Sequence, residues 1–173
     1  MRPLPPPRTP GRYRIGVVCL GNICRSPVAD VVLTAQVAAA GLDAAPWHVA
    51  VASCGTGGWH VGDPMDRRSA ATLRGAGYDP DRHRARQLAS AWFEHDLLLA
   101  MDADNLRDLR DHPGAERLDD PGRVRLFRDH DPQGPGDVPD PYYGGAAGFD
   151  LVLAMVERTA AAIVADLPRA LAR

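Results

Sequence analysis

The stretch that decides the reading is Val17–Pro27, VVCLGNICRSP. Upstream of it, Tyr13 to Val18 is an apolar, β-rich run, which predicts a strand over Arg14–Leu20. Downstream, Pro27 opens a segment patterned as a helix to Ala40 and stopped at Gly41. A thiol, Cys19, therefore stands at the tip of a strand, with Arg25 at the mouth of the following helix. Between them, Gly21 and Asn22 suit the left-handed backbone angles of a tight curl. Such a curl turns successive amides of Leu20, Gly21, Asn22, Ile23 and Cys24 inward as a nest for an anion, and the helix dipole adds to the field. The planar fork of Arg25 grips two oxygens of a phosphate. The expectation is a phosphate cradle with a nucleophile at its floor.

Thiol ionisation supplies only a modest part of such a rate, because a more acidic thiol is also a weaker nucleophile. The larger part comes from Arg25 and the amides stabilising charge in the transition state. Ser26 can donate its hydroxyl to the sulfur as it leaves again.

Outward from this stretch, strands and helices alternate. A second strand is predicted over Trp47–Ser53, a helix from Asp63-Pro64 to about Ala76, and a short helix over Leu88–Glu94. Asp96–Met101 reads as a buried strand, Asp104–Asp111 as a helix and Arg123–Phe127 as a fourth strand. A loop rich in Gly, Pro and Asp spans Asp129–Gly148, and a long helix ends the chain over Phe149–Leu171. The pattern predicts an α/β fold with a parallel sheet covered on both faces, in which ligands bind beyond the carboxyl ends of the strands.

The chain has 173 residues, enough for one domain, here placed at residues 13–173. Residues 1–12, MRPLPPPRTPGR, are expected to be a disordered Pro-rich leader. The net charge of −2 favours neither nucleic acid nor anionic lipid. Three cysteines, Cys19, Cys24 and Cys54, do not form a disulfide framework and suit a reducing compartment. With no secretory signal and no apolar run of membrane-spanning length, the expected location is the cytoplasm.

A leaving alkoxide or phenolate needs a proton from the side opposite the thiol. The long loop offers one in DVPDPYYGG: Asp140 is stiffened by Pro141 and followed by two ring faces, Tyr142 and Tyr143.

Together, CLGNICRS and the downstream DPYYG closely resemble the low-molecular-weight protein tyrosine phosphatases, most of all bacterial and particularly actinobacterial members. The similarity runs from Arg14 to about Ala170 and takes in SCGTGGWHVGDPMDRRS, HRARQ and MDADNLRDL. The resemblance implies a three-layer α/β/α fold of flavodoxin-like type around a four-stranded parallel sheet. It implies hydrolysis of phosphotyrosine in proteins, with phosphate- or vanadate-like anions as inhibitors and no metal or cofactor. Cys19 is then the nucleophile, Arg25 the clamp and Asp140 the acid and later the base. Asn22, Ser26 and His83 correspond to a network supporting the loop. Trp59 with His60, and Tyr142 with Tyr143, correspond to the walls for the substrate ring. The family usually has Ala or Gly where Cys54 stands, and another residue where Arg67 stands.

Cys24 is either a resolving thiol for an oxidised Cys19 or a small packing residue. Cys54 and the aromatic residues Trp47, Trp92, Phe93 and Phe127 are assigned to packing, and Asp102 to a helix start. Competing functions are a protein-arginine phosphatase, a phosphotyrosine-binding module and a thiol-redox sensor. An arsenate reductase of this fold would need further cysteines beyond Cys54, and none follows.

Overall fold

Along β1 (Arg12–Cys19) alternate side chains serve two different cores. Tyr13, Ile15, Val17 and Cys19 join one buried cluster, and Val18 joins another. A period of two does this only where both faces of a strand are covered, as in the middle of a parallel sheet. In the computed structural model, which describes residues 3–173, β1 holds that middle position. Its neighbours are β2 (His48–Gly55) and β3 (Leu97–Ala100), with β4 (Val124–Leu126) beyond β3. All pairings are parallel, and the register sets Cys19 beside Gly55 and Val18 beside Ala100.

Four α-helices cover the sheet: α1 (Arg25–Ala39), α2 (Arg67–Gly75), α3 (Ala103–Asp111) and α4 (Ala146–Leu171). The first cluster draws in Val32 and Leu33 of α1, Leu73 of α2 and Val156, Ile163 and Leu167 of α4. The second sets Leu109 of α3 and Phe93 against Leu98 and Ala100. The expected three-layer architecture and four-stranded parallel sheet are present. No helix of the described residues is long and apolar enough to cross a membrane.

The element bounds differ from the sequence reading where side chains override local signals. α1 starts at Arg25 rather than Pro27, because proline is tolerated anywhere in a first turn that has no partner for its N–H. α2 starts at Arg67 rather than at Asp63-Pro64. Its cap is Asp66, which accepts from the Arg68 amide at 2.8 Å. Residues 62–66 are spent instead on cross-links: Ala85 donates to the Asp63 carbonyl and Asp66 to the Ile23 carbonyl, both at 2.8 Å. Ser90–Glu94 is a 3₁₀ turn, and another, Phe127–His130, shortens the long loop from its amino end.

The leader is the largest departure. Residues 3–8 are not a free tail but are docked on the body, with Leu4 only 2% exposed in the main core. A Pro-rich composition signals disorder because it offers few backbone donors and little apolar surface. Here Arg123, Arg125 and Tyr13 supply the missing donors to the proline carbonyls. Residues 1–2 lie outside the described residues.

Two buried groups near α4 set an acid limit on stability. Burial, with Arg125 close by, pushes His130 down to about 4, against the opposing pull of Asp129 and Asp166. Both of its ring nitrogens are buried without a hydrogen-bond partner among the described residues. Asp131 is held well below the usual carboxylate range by Arg158 and Arg128. A histidine whose folded pKa is depressed binds more protons when unfolded, so its contribution is complete above about pH 6.5 and lost as pH falls towards 4. Urea unfolding at pH 7 and pH 4.5 is expected to differ by about 2–3 kcal/mol, with less difference in His130→Gln.

Candidate active site

The site is built where β1 stops. The backbone turns at Asn22, the single non-glycine residue among those described with a positive φ, at +54°. That left-handed kink is one asparagine tolerates better than most. It brings the Asn22 amide back onto Cys19 Sγ at 3.3 Å. Three further contacts hold the kink. Asn22 Nδ2 donates to Ser26 Oγ at 2.8 Å, the Arg86 amide donates to Asn22 Oδ1 at 2.9 Å, and His83 Nε2 donates to the Asn22 carbonyl at 2.8 Å. Since a carbonyl only accepts, the His83 proton sits on Nε2. Burial lowers the His83 pKa, which keeps the ring neutral and the donor in place. His83 is therefore no surface residue, and hydrogen bonds link it through Asn22 to Ser26.

Ser26 Oγ lies 2.9 Å from Cys19 Sγ, and 3.4 Å from the Cys54 carbonyl. Its hydroxyl thus faces the sulfur from beneath the loop. The Cys54 side chain points to the opposite core, fully buried, and away from this chemistry. The next residue, Gly55, was missed by the sequence reading. A Cβ there would stand 2.6 Å from the Leu20 carbonyl oxygen and 3.1 Å from the Asn22 amide nitrogen. Only glycine lets the end of β2 lie against the loop, so that Thr56 and Gly57 can donate to the Cys19 and Leu20 carbonyls.

Arg25 is 4% exposed and already tied at its guanidinium. Nη1 donates to Asp102 Oδ2 at 2.5 Å and to the Val138 carbonyl at 3.2 Å, and Nη2 to Asp140 Oδ2 at 3.1 Å. Asp102 does cap α3, accepting from the Asn105 amide at 2.7 Å, but its other oxygen orients the clamp. That second role was missed. Its signal was position, directly beyond the carboxyl end of β3 and beside β1, where ligands of such sheets bind.

Asp140 reaches the cleft because the long loop is pinned rather than loose. Val138 donates to the Met101 carbonyl at 2.7 Å, and Asp137 accepts from the Ala103 amide. Asp140 Oδ1 also accepts from the Tyr142 amide, closing an Asx turn on the Pro141 corner. The rings of Tyr142 and Tyr143 meet edge to face, 4.9 Å apart. Arg68, bound through Nε and Nη2 to Asp66, lies 5.6 Å over Tyr142 and 4.6 Å over Phe149.

A cleft of about 210 Å³ brings together Cys19, Leu20, Gly21, Ile23, Cys24, Arg25, Trp59, His60, Asp140, Tyr142 and Tyr143. Asn22, Ser26 and His83 are absent from its wall and reach the loop through the hydrogen bonds given above. Trp59 and Tyr143 are mostly exposed, and His60 bonds to Asp63, so these walls rise from the rim rather than from the core. Cys24 is buried at the start of α1, and burial pushes its thiol up to about 12. A larger cavity of about 670 Å³ lies between α1, Val51 and residues 77–86, with His83 and Arg86 in common with the network and no cysteine in its wall.

The comparisons agree with this geometry. The family model for low molecular weight phosphotyrosine protein phosphatases matches residues 14–173. A low molecular weight protein-tyrosine-phosphatase of Streptomyces coelicolor is 48% identical over 158 residues, covering 88% of this chain and 92% of that one. The crystal structure of YfkJ from Bacillus subtilis superposes with a TM-score of 0.82 at 30% identity, covering 94% of this chain and 98% of that one. Vibrio vulnificus Wzb in complex with benzylphosphonate gives a TM-score of 0.75 at 27% identity, over 88% of this chain and 97% of that one. The chain belongs to the family of low molecular weight phosphotyrosine protein phosphatases.

Proposed function

We propose that this chain hydrolyses phosphotyrosine in proteins through a phosphocysteine on Cys19. The observation that carries the reading is the meeting of a strand-tip sulfur, a buried guanidinium and a loop carboxyl in one ring-walled cleft. In the first step Cys19 attacks phosphorus and the bond to the phenolic oxygen breaks, with Asp140 delivering its proton to that oxygen. In the second, water attacks the phosphocysteine, Asp140 takes up the proton, and the thiolate leaves with the Ser26 hydroxyl donating to it. Arg25 and the amides of residues 20–24 hold the equatorial oxygens throughout. Trp59, His60, Tyr142 and Tyr143 flank the ring of the substrate. Free phosphate and vanadate compete for the same cradle, and no metal or cofactor takes part.

Wzb is described with benzylphosphonate bound, a ligand that joins an aromatic ring to a phosphorus oxyanion. The same pairing of anion cradle and ring walls supports phosphotyrosine here. A capture module would not need Asp140, and a redox sensor would need neither Asp140 nor the tyrosine pair. Cys24 is the candidate resolving thiol: where a peroxide oxidises the Cys19 thiolate to a sulfenic acid with loss of hydroxide, that acid would condense with Cys24 to a disulfide and release water. Its raised pKa keeps it a thiol, so it does not compete with Cys19 for substrate. Such thiol chemistry suits the reducing cytoplasm.

The test is the leaving-group dependence of Asp140→Ala. On a phosphotyrosine peptide the variant is expected to lose about 10²–10³-fold in kcat/KM, which reports the first step alone. On an aryl phosphate whose phenol is acidic enough to leave unprotonated, the loss is expected to shrink below tenfold. Equal losses on both substrates would remove Asp140 from the role of acid.

A further inference from the structure

At the end of the sheet opposite Cys19, residues 3–8 (Pro-Leu-Pro-Pro-Pro-Arg) lie across the amino ends of β1, β3 and β4. Five of the eight polar backbone atoms of this strap are read by side chains of the body. The Pro3 carbonyl accepts from Arg125 at 2.9 Å, that of Pro5 from the Tyr13 hydroxyl at 3.1 Å and that of Pro6 from Arg123 at 2.9 Å. The Leu4 amide donates to Asp166 at 3.3 Å, and the Arg8 amide to Asp96 at 2.6 Å. The Leu4 side chain enters the core, and the Arg8 guanidinium pairs with Asp119.

The receiving groups form a built seat. Tyr13, Asp96, Arg123 and Arg125 are each at most 4% exposed. Their chemistry is matched to this occupant: proline offers a carbonyl and no N–H, and three of the four are donors aimed at proline carbonyls. The two amides the strap does present meet carboxylates. Recognition of an extended proline-rich segment by donors, with one apolar anchor in a pocket, is an established mode of peptide binding. The strap lies outside residues 14–173, the stretch that matches the family. Its link to β1 is only the short turn at residues 9–11, closed by the Arg12 amide on the Thr9 carbonyl.

We propose that the floor of the sheet is a peptide-binding site for a Pro-Leu-Pro-Pro-Pro-Arg segment, filled in cis by the chain's own leader and able to bind it without the covalent link. A three-residue tether holds the leader at an effective concentration of millimolar order or more, so a free peptide enters only when the tethered copy is weakened. Leu4→Asp weakens it, by carrying a carboxylate into an apolar pocket near Asp166.

The experiment measures fluorescence anisotropy of a labelled peptide of residues 3–10 added to full-length chains. Binding to Leu4→Asp is expected to be at least tenfold tighter than to wild type, and a peptide carrying the same Leu4→Asp change is expected not to bind. Phosphate release by Leu4→Asp should stay within twofold of wild type, since the strap is remote from Cys19. A folded Leu4→Asp chain that ignores the peptide, or equal binding to both chains, overturns the proposal. Should Leu4→Asp not fold, a protease site replacing residues 9–11 is cut in the folded wild-type chain. Retention of the severed segment through gel filtration supports the site, and its immediate loss overturns it.

Discussion

Cys19→Ser is expected to lower phosphate release from a phosphotyrosine peptide by about 10⁴-fold or more under reducing conditions. The reason is local. The hydrogen-bonding partners of Cys19 Sγ among the described residues are the Ser26 hydroxyl and the Asn22 amide. Neither can take a proton from an attacking hydroxyl, and Asp140, bonded to Arg25 and the Tyr142 amide, is held for the leaving group. A thiol needs no base because it ionises readily, whereas a serine in this setting stays a neutral and feeble nucleophile. The loop itself should survive the change, since its kink rests on Asn22, His83 and the Arg86 amide. Phosphate affinity of Cys19→Ser, measured by calorimetry, is therefore expected to remain within about tenfold of wild type. Cys24→Ser, by contrast, is expected to keep most of its turnover.

What the sequence made legible follows from how local each signal was. Strand, curl and helix around Cys19 were readable because each residue there obeys its own backbone preference. Asn22 accepts a left-handed angle, and apolar alternation marks β1. Asp140 was readable because proline and two tyrosines framed it within one short stretch. Asp102 was not, since its capping role accounted for it completely, and its bond to Arg25 spans 77 residues. Gly55 was hidden for a related reason: its constraint is the backbone of a loop more than thirty positions away, not its own φ. The leader was misread because composition reports what a segment can do alone. Its order comes from Arg123, Arg125 and Asp96, more than eighty residues distant. Signals within a turn of chain were legible; those set by charged groups converging across the sheet were not.

Arg25→Lys preserves the charge, and so separates the shape of the clamp from its sign. The guanidinium in this site serves several acceptors at once, Asp102 and the Val138 carbonyl from Nη1 and Asp140 from Nη2. An ammonium has three donors on a tetrahedral nitrogen and no fork, so it cannot satisfy these groups and also meet two phosphate oxygens side by side. The loss should grow as charge and geometry change towards the transition state, where the equatorial oxygens spread into the plane that the fork matches. Turnover is expected to fall by about 10³-fold, or about 4 kcal/mol, with a smaller rise in KM. Vanadate, which adopts the five-coordinate geometry, should lose affinity by nearly the factor seen in kcat/KM, and phosphate by much less. Asp102→Asn supplies the contrast. Its amide oxygen can still accept from Arg25 but no longer carries charge, so the fork keeps its plane with a weaker anchor. A loss of about tenfold in turnover is expected there, with vanadate affinity reduced in step. If Arg25→Lys weakened phosphate and vanadate equally, the arginine would be a site of attraction alone, and the rate would have to come from the loop amides.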